Sequence, residues 1–353
     1  MGGERAASAV VVGKSAKEST FAPALQRFLV WAVVLITGGY TFLDYWNYSR
    51  TFHDGGGVEW QSLLAGHGFA PAQYRVGVLH AADLLARLTH THLRHTFAVI
   101  DFLSLGISLA LLLWLLGRGE GFRKAGHIAQ WLQVSLVLGS CVLYLMWSFW
   151  FQKTETQSTL LLLVLSAAAA QWRRRILAAI ALVLLAAIGA TVRADAVVAF
   201  HVGFLAACLL PHARSLPLGR ATQFAASVVA LVVAVGIEWF IAHKVYPDAP
   251  RQVAVFQLFG NLKAWLNYLV VPMALFPWLI TLGLAIRRWR ALEGWTIGLL
   301  FGSVVHFALY YTFGIAWEVR IFLPFAMTVT PLTAMLAYSS IRNQNHSAVQ
   351  SIH

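Results

Sequence analysis

Apolar residues run in blocks long enough, or nearly long enough, to cross the hydrocarbon core of a bilayer, with short polar turns between them. The blocks fall at about 26–43, 96–116, 128–151, 157–172, 176–192, 196–210, 222–243, 264–286, 295–316 and 320–338. They predict an all-α, polytopic membrane helix bundle of about ten transmembrane helices, in which 157–172 and 196–210 are the shortest spans. The longest interruption, 44–95, is not featureless. Its segment YRVGVLHAADLLARL at 74–88 sets Leu79, Ala82, Leu85 and Leu88 at helical spacing and turns Arg75, Asp83 and Arg87 away, which predicts an interfacial helix in the first outer loop. Before it, HDGGG at 53–57 and GHGFAP at 66–71 read as turns. The transmembrane domain then covers 26–338, with a cytoplasmic segment at 1–25 and a short, disordered cytoplasmic tail at 339–353.

Composition agrees with this division. The chain is 59% hydrophobic and 11% charged over 353 residues, more apolar than a soluble domain of that length needs for a core. The net charge of +12 is explained by topology rather than by nucleic acid. With the N-terminus inside, the inward turns RGEGFRK, QWRRR, PHARSLPLGR and RRWR hold most of the cations. The inner side then carries 16 of the 26 basic residues and four of the 14 acids, which leaves +12 inside and zero outside, as the positive-inside rule demands. About 25 mostly polar residues precede the first apolar block, so no signal peptide is read there. Cys141 and Cys208 lie within apolar blocks and read as core residues. Trp, Tyr and Phe near the span ends fit aromatic belts.

Ionisable residues are costly inside a bilayer, and here they gather at one depth. Asp44 ends the first span, Asp101 begins the second, Glu155 follows the third, and Arg193 with Asp195 lies between the fifth and sixth. Glu238 stands near the outer end of the seventh, and Glu318 with Arg320 fills the last outer turn. Local pairs, Arg193 with Asp195 and Glu318 with Arg320, are one reading of these charges. The other is a shared outer site, where arginines hold a lipid-linked phosphate and a desolvated carboxylate deprotonates an incoming hydroxyl. The tract THTHLRH sets only His92 and His95 on one helical face, without a carboxylate at matching spacing, and reads as an interfacial polar turn rather than a zinc site. His201 and His306 fall mid-span and read as hydrogen-bonded within the bundle.

An outer acid directly after the first span, a long first outer loop with an interfacial helix, YR at 74–75, TVRADAV at 191–197 and WEVRIFLPF at 317–325 together resemble the C-type integral membrane glycosyltransferases. The resemblance implies an enzyme that moves a sugar from a polyprenyl-phosphate donor to a glycan, lipid or protein acceptor at the outer face of a bacterial inner membrane. It assigns the catalytic base to Asp44 and a second acid to Glu155. Lipid-phosphate contacts fall on Arg75, Arg193 or Arg320, with Tyr74, Asp195 and Glu318 beside them, and a divalent cation is allowed but not required. Asp44 is followed by Tyr45 where a second acid is frequent in that group, and His80 stands where proline is frequent. The alternatives are a flippase or transporter of a lipid-linked saccharide, a polysaccharide polymerase, and a membrane acyltransferase, for which His306 is the candidate base.

Overall fold

The computed structural model describes residues 23–53, 57–70, 72–148, 155–172, 174–210, 216–251, 256–289, 292–316 and 318–350. The N-terminal 22 residues and parts of the turns at 54–56, 173, 211–215 and 290–291 lie outside them. The described chain is all-helical. Six helices are long and apolar enough to cross a membrane: α1 (Pro23–His53), α4 (Leu93–Arg118), α6 (His127–Ser148), α8 (Arg175–Leu209), α9 (Arg220–Phe240) and α13 (Gly294–Phe313). A seventh span forms if α11 (Asn267–Ala274) and α12 (Phe276–Arg287), bent by 71° at their junction, are taken together. The chain is therefore a multi-pass membrane protein with six to seven candidate spans. The expected ten are not reached by this measure, for three local reasons.

First, two predicted spans fall short. α7 (Glu155–Ala169) has 15 residues and a rise of about 22 Å, and the described apolar part of α14 (Leu323–Gln350) ends at Leu336. Second, the block at 264–286 is bent, because Pro277 at the start of α12 has no N–H to continue the preceding ladder. Third, the blocks at 176–192 and 196–210 are joined in α8, whose backbone is non-helical at Arg193 (φ −154°, ψ 82°).

That break folds α8 back on itself. In an unbroken helix Gly189 and Val197 would be about 12 Å apart along the axis, yet a Cβ on Gly189 would lie 2.5 Å from Val197 Cγ2. The two far ends also meet the same place. The Arg175 guanidinium lies 3.6 Å from where a Gly219 Cβ would stand, and Cys208 Sγ approaches the Arg220 carbonyl at 3.7 Å. The element is thus two arms, 175–192 and 194–209, with their turn at Arg193. Counted this way, a described helix lies in each of the ten apolar blocks, with two, α11 and α12, in the block at 264–286.

α9 packs on α8, as does α13, and α4 packs against α1, α3 (Val76–Thr89) and α7. The tightest crossing joins α8 to α13, where Gly203 lies backbone to backbone against Gly298 and Gly302. Small residues let helices approach this closely where lipid supplies no hydrophobic drive.

The segment between α1 and α4 is built as a support. α2 (Gly57–Leu64) leads to a turn in which Gly66 takes φ +82°. The Gln73 side chain spans that turn, accepting from Gly68 N at 2.6 Å and donating to Leu63 O at 2.9 Å. α3 follows as predicted and buries Val78, Leu79, Ala82 and Ala86. Leu88, expected on the packed face, is 70% exposed, because the buried stripe of α3 runs through Val78, Leu79, Ala82 and Ala86 and leaves Leu88 beside it. His90 closes α3 in the left-handed conformation, and His92 Nδ1 accepts from Arg94 N–H at 3.4 Å at the start of α4. At the other end of the chain, α14 runs on to Gln350 where a disordered tail was expected. The stretch RNQNHSAVQ contains neither Gly nor Pro to stop it.

Candidate functional site at one end of the bundle

Three arginine–carboxylate pairs converge at the end of the bundle where α8 turns. Each is placed by a different local device. Arg193 is the break residue of α8, and its Nε donates to Asp195 Oδ1 at 2.9 Å while an Nη donates to Oδ2, a two-point fork two residues apart in sequence. Arg320 donates to Glu318 Oε2 at 2.8 Å on the 3-10 turn Val319–Ile321. Arg75, immediately before α3, reaches Glu155 at the start of α7 across 80 residues, with an Nη–Oε1 separation of 3.4 Å.

The pairs share one electrostatic environment. Arg75 is repelled by Arg193 and Arg320 and attracted by Glu155 and Asp195; burial, the larger effect, and its two cationic neighbours pull its guanidinium below the usual arginine range. Arg193 is also attracted by Glu155 and Glu318, and Glu238 on α9 lies within reach of Asp195 and Arg75. Close packing enforces the juxtaposition of the α3 start and the α8 turn, because any side chain on Gly77 would overlap Thr191.

His306 on α13 was read from sequence as bonded within the bundle, and it is. Its Nε2 meets Asp195 Oδ2 at 3.4 Å, with its ring between Phe322 and Phe325 at centroid distances of 5.6 and 5.3 Å and no exposed surface.

The turn between α13 and α14 is held by a residue that sequence reasoning passed over. Asn261 on α10 (Leu258–Lys263) donates to Tyr311 O at 2.7 Å and Gly314 O at 2.8 Å, and its Oδ1 accepts from Ala316 N at 3.0 Å. Tyr310 adds a bond from its hydroxyl to Ala316 O. These bonds fix the chain just before Glu318. Only the unusual burial of an amide could have signalled Asn261, and burial is not visible in sequence.

Asp44 takes a different position. It is buried on α1, its Oδ1 accepts no hydrogen bond among the described residues, and its charged neighbour is Asp101 on α4. The structure therefore brings Arg75, Glu155, Arg193, Asp195, Glu318 and Arg320 together, and sets Asp44 with Asp101 in the adjoining α1–α4 interface. Tyr74 lies half-buried on the 3-10 turn Ala72–Tyr74, next to Arg75. A narrow, largely apolar cleft between α7 and the two α8 arms runs from Arg193 past Leu162, Leu185 and Phe200 to His201.

Among the described residues no three His, Cys, Asp or Glu side chains converge as ligands for a metal ion. The described residues therefore offer no three-ligand protein site for the divalent cation that the resemblance allows. No family model matches the sequence, and neither the curated proteins nor the solved structures contain a significant match to the chain. What stands without a relative to lean on is a multi-pass helical membrane protein that gathers three arginines and three carboxylates at one end of its bundle.

Proposed function

We propose that the chain is a membrane glycosyltransferase that moves a sugar from a polyprenyl-phosphate-linked donor to an acceptor hydroxyl at the outer face of a bacterial plasma membrane. The observation that carries this reading is the convergence of Arg75, Arg193 and Arg320 with Glu155, Asp195 and Glu318 from distant parts of the chain. A phosphate that leaves with a full negative charge needs fixed cations, and a hydroxyl that attacks carbon needs a carboxylate base. In the reading, Asp44 takes the acceptor proton. The acceptor oxygen bonds to the anomeric carbon, the bond from that carbon to the phosphate oxygen breaks, and its electron pair leaves on the phosphate. One displacement inverts the anomeric centre. No step is routed through a metal.

The topology that serves this chemistry has ten spans, with the α8 arms as two of them and both termini cytoplasmic. The basic turns then face inward and the arginine–carboxylate set faces outward. The carrier alternative needs charge through the bilayer depth, whereas this set lies at one end. The acyltransferase alternative needs a histidine nitrogen free to take a proton from the acceptor. His306 instead commits its Nε2 to Asp195, which suits holding that carboxylate rather than meeting a substrate.

The test is release of polyprenyl phosphate by protein purified into lipid and supplied with a panel of polyprenyl-phosphate sugars and candidate acceptors. The parent is compared with Asp44→Asn. Release by the parent and its loss in an equally folded Asn variant support the reading with Asp44 as base. Binding or movement of the donor without release, across the panel, turns the assignment to a carrier.

A further inference from the structure

The three ion pairs differ in which member faces outward. In Arg193–Asp195 the arginine side chain is 2% exposed and the acid 37%. In Arg320–Glu318 the values are 6% and 21%. In both, the carboxylate stands in front of its cation. Only in Arg75–Glu155 is the order reversed, with the arginine at 20% and the acid at 12%.

The same pair is the most easily exchanged. Arg193 and Arg320 each hold an acid two residues away, and the Arg193 fork has two points. Between Arg75 and Glu155, on elements 80 residues apart, the described contact is a single one at 3.4 Å. A single long contact loses less when it opens than a two-point fork does. The three arginines and three carboxylates also cancel in formal charge, so an arriving anion gains little until one arginine gives up its acid. The Nε of Arg320, whose charge also acts on Arg75, is buried without a hydrogen-bond partner among the described residues.

We infer that Glu155 is an internal stand-in for the donor's phosphate, and that the phosphate takes its place on Arg75. This rests on the proposed transferase reading and specifies how its site accepts the donor. Glu155 is then a positioning residue. It keeps Arg75 aligned in the empty site and competes with the ligand, so that filling the site exchanges one ion pair for another. No covalent bond changes in this step.

The exchange predicts an effect opposite to that of an ordinary binding residue. Removing the charge of Glu155 leaves Arg75 unpaired and its site ready, so phosphate binds more tightly. If the competent state is one-tenth populated in the parent, the apparent affinity rises about 10-fold in Glu155→Gln.

The probe is polyprenyl phosphate, titrated into full-length protein in nanodiscs of zwitterionic lipid. Inorganic phosphate and added phosphatidylglycerol serve as separate competitors, which distinguishes a lipid-linked phosphate from a free one or a bulk headgroup. Glu155→Gln should bind the probe about 10-fold tighter than the parent and lower KM for the donor. Arg75→Gln should lose binding, and the double variant should bind as weakly as Arg75→Gln alone. Glu155→Asp keeps the charge and should restore parental affinity if the fold is retained. Unchanged or weaker binding in Glu155→Gln, with the parent binding normally, overturns the exchange and leaves the transferase reading standing. Displacement of the probe by phosphatidylglycerol at equal concentration overturns the polyprenyl assignment of the ligand. No binding by the parent removes the exchange and the transferase reading together.

Discussion

The α8–α13 crossing offers a sharp test of the architecture, because it lies between the turn that carries Arg193 and the helix that carries His306. A Cβ added at Gly203 would stand 2.6 Å from Gly302 Cα and would overlap Gly298 O and Gly302 N. Carbon atoms pack at about 3.5–4.0 Å, so the helices must part by about 1 Å. The obstacle is backbone and cannot rotate away. Overpacking of this kind costs about 1–3 kcal/mol, and the upper end applies where backbone meets backbone. For a chain of this length that is a fall of about 2–5 °C in melting temperature. The contact of His306 with Asp195, already at 3.4 Å, should open in the same variant. Two controls bracket the effect. A Cβ at Gly298 would meet only the Phe204 ring, at about 3.0 Å, so Gly298→Ala should cost less. At Gly236 nothing lies within 4 Å, so Gly236→Ala should be neutral or gain up to about 1 kcal/mol of helix propensity. Thermal unfolding of the three variants in one detergent measures the series. Equal melting temperatures for Gly203→Ala and Gly236→Ala would refute the close crossing.

Other variants probe the remaining supports. Asp195→Asn strips the fork from Arg193, which is 2% exposed, and should cost about 3 kcal/mol; this is the low end for breaking a buried pair, because Asp195 itself is partly solvated. The double replacement Arg193→Met with Asp195→Leu should recover most of that loss, which thermal unfolding of the single and double variants would reveal. Asn261→Ala leaves two carbonyls and one N–H of the turn at 311–316 without their partner. It should cost about 3 kcal/mol and lower any transfer activity beyond what the stability loss explains, read as initial rate below the melting transition. Both native cysteines are buried, so single introduced cysteines report topology. Trp172→Cys and Leu210→Cys should react with a membrane-impermeant thiol reagent from the same side if the α8 arms are two spans, and Leu88→Cys from the opposite side. Labelling of residues 172 and 210 from opposite faces would contradict the fold-back at Arg193.

The sequence was most informative where chemistry and spacing act locally. Each of the ten apolar blocks holds described helix, though only six to seven qualify as spans, and TVRADAV marked the α8 turn because one arginine and one aspartate interrupt an otherwise apolar run. The pairs Arg193–Asp195 and Glu318–Arg320 were readable because both partners lie two residues apart. Span lengths were less so. The length of α7 depends on packing against its neighbours, which a hydropathy pattern does not carry, whereas the bend before Pro277 follows from a proline inside an apolar block that hydropathy alone passes over. Least legible were the contacts between distant elements: Arg75 with Glu155, His306 with Asp195, Asn261 with the turn at 311–316, and Asp44 with Asp101. Each depends on the angle and depth at which helices meet, and charge order alone does not distinguish an acid that faces an arginine from one that faces another acid. That limit bears directly on mechanism. Two local pairs close on themselves with their carboxylates outward, so of the three site arginines Arg75, whose partner comes from a separate helix, is the most accessible to an anion. The residue most exposed to a ligand is thus the one whose pairing the linear chain conceals, and a site built this way is tuned by how α3 and α7 approach each other rather than by its composition.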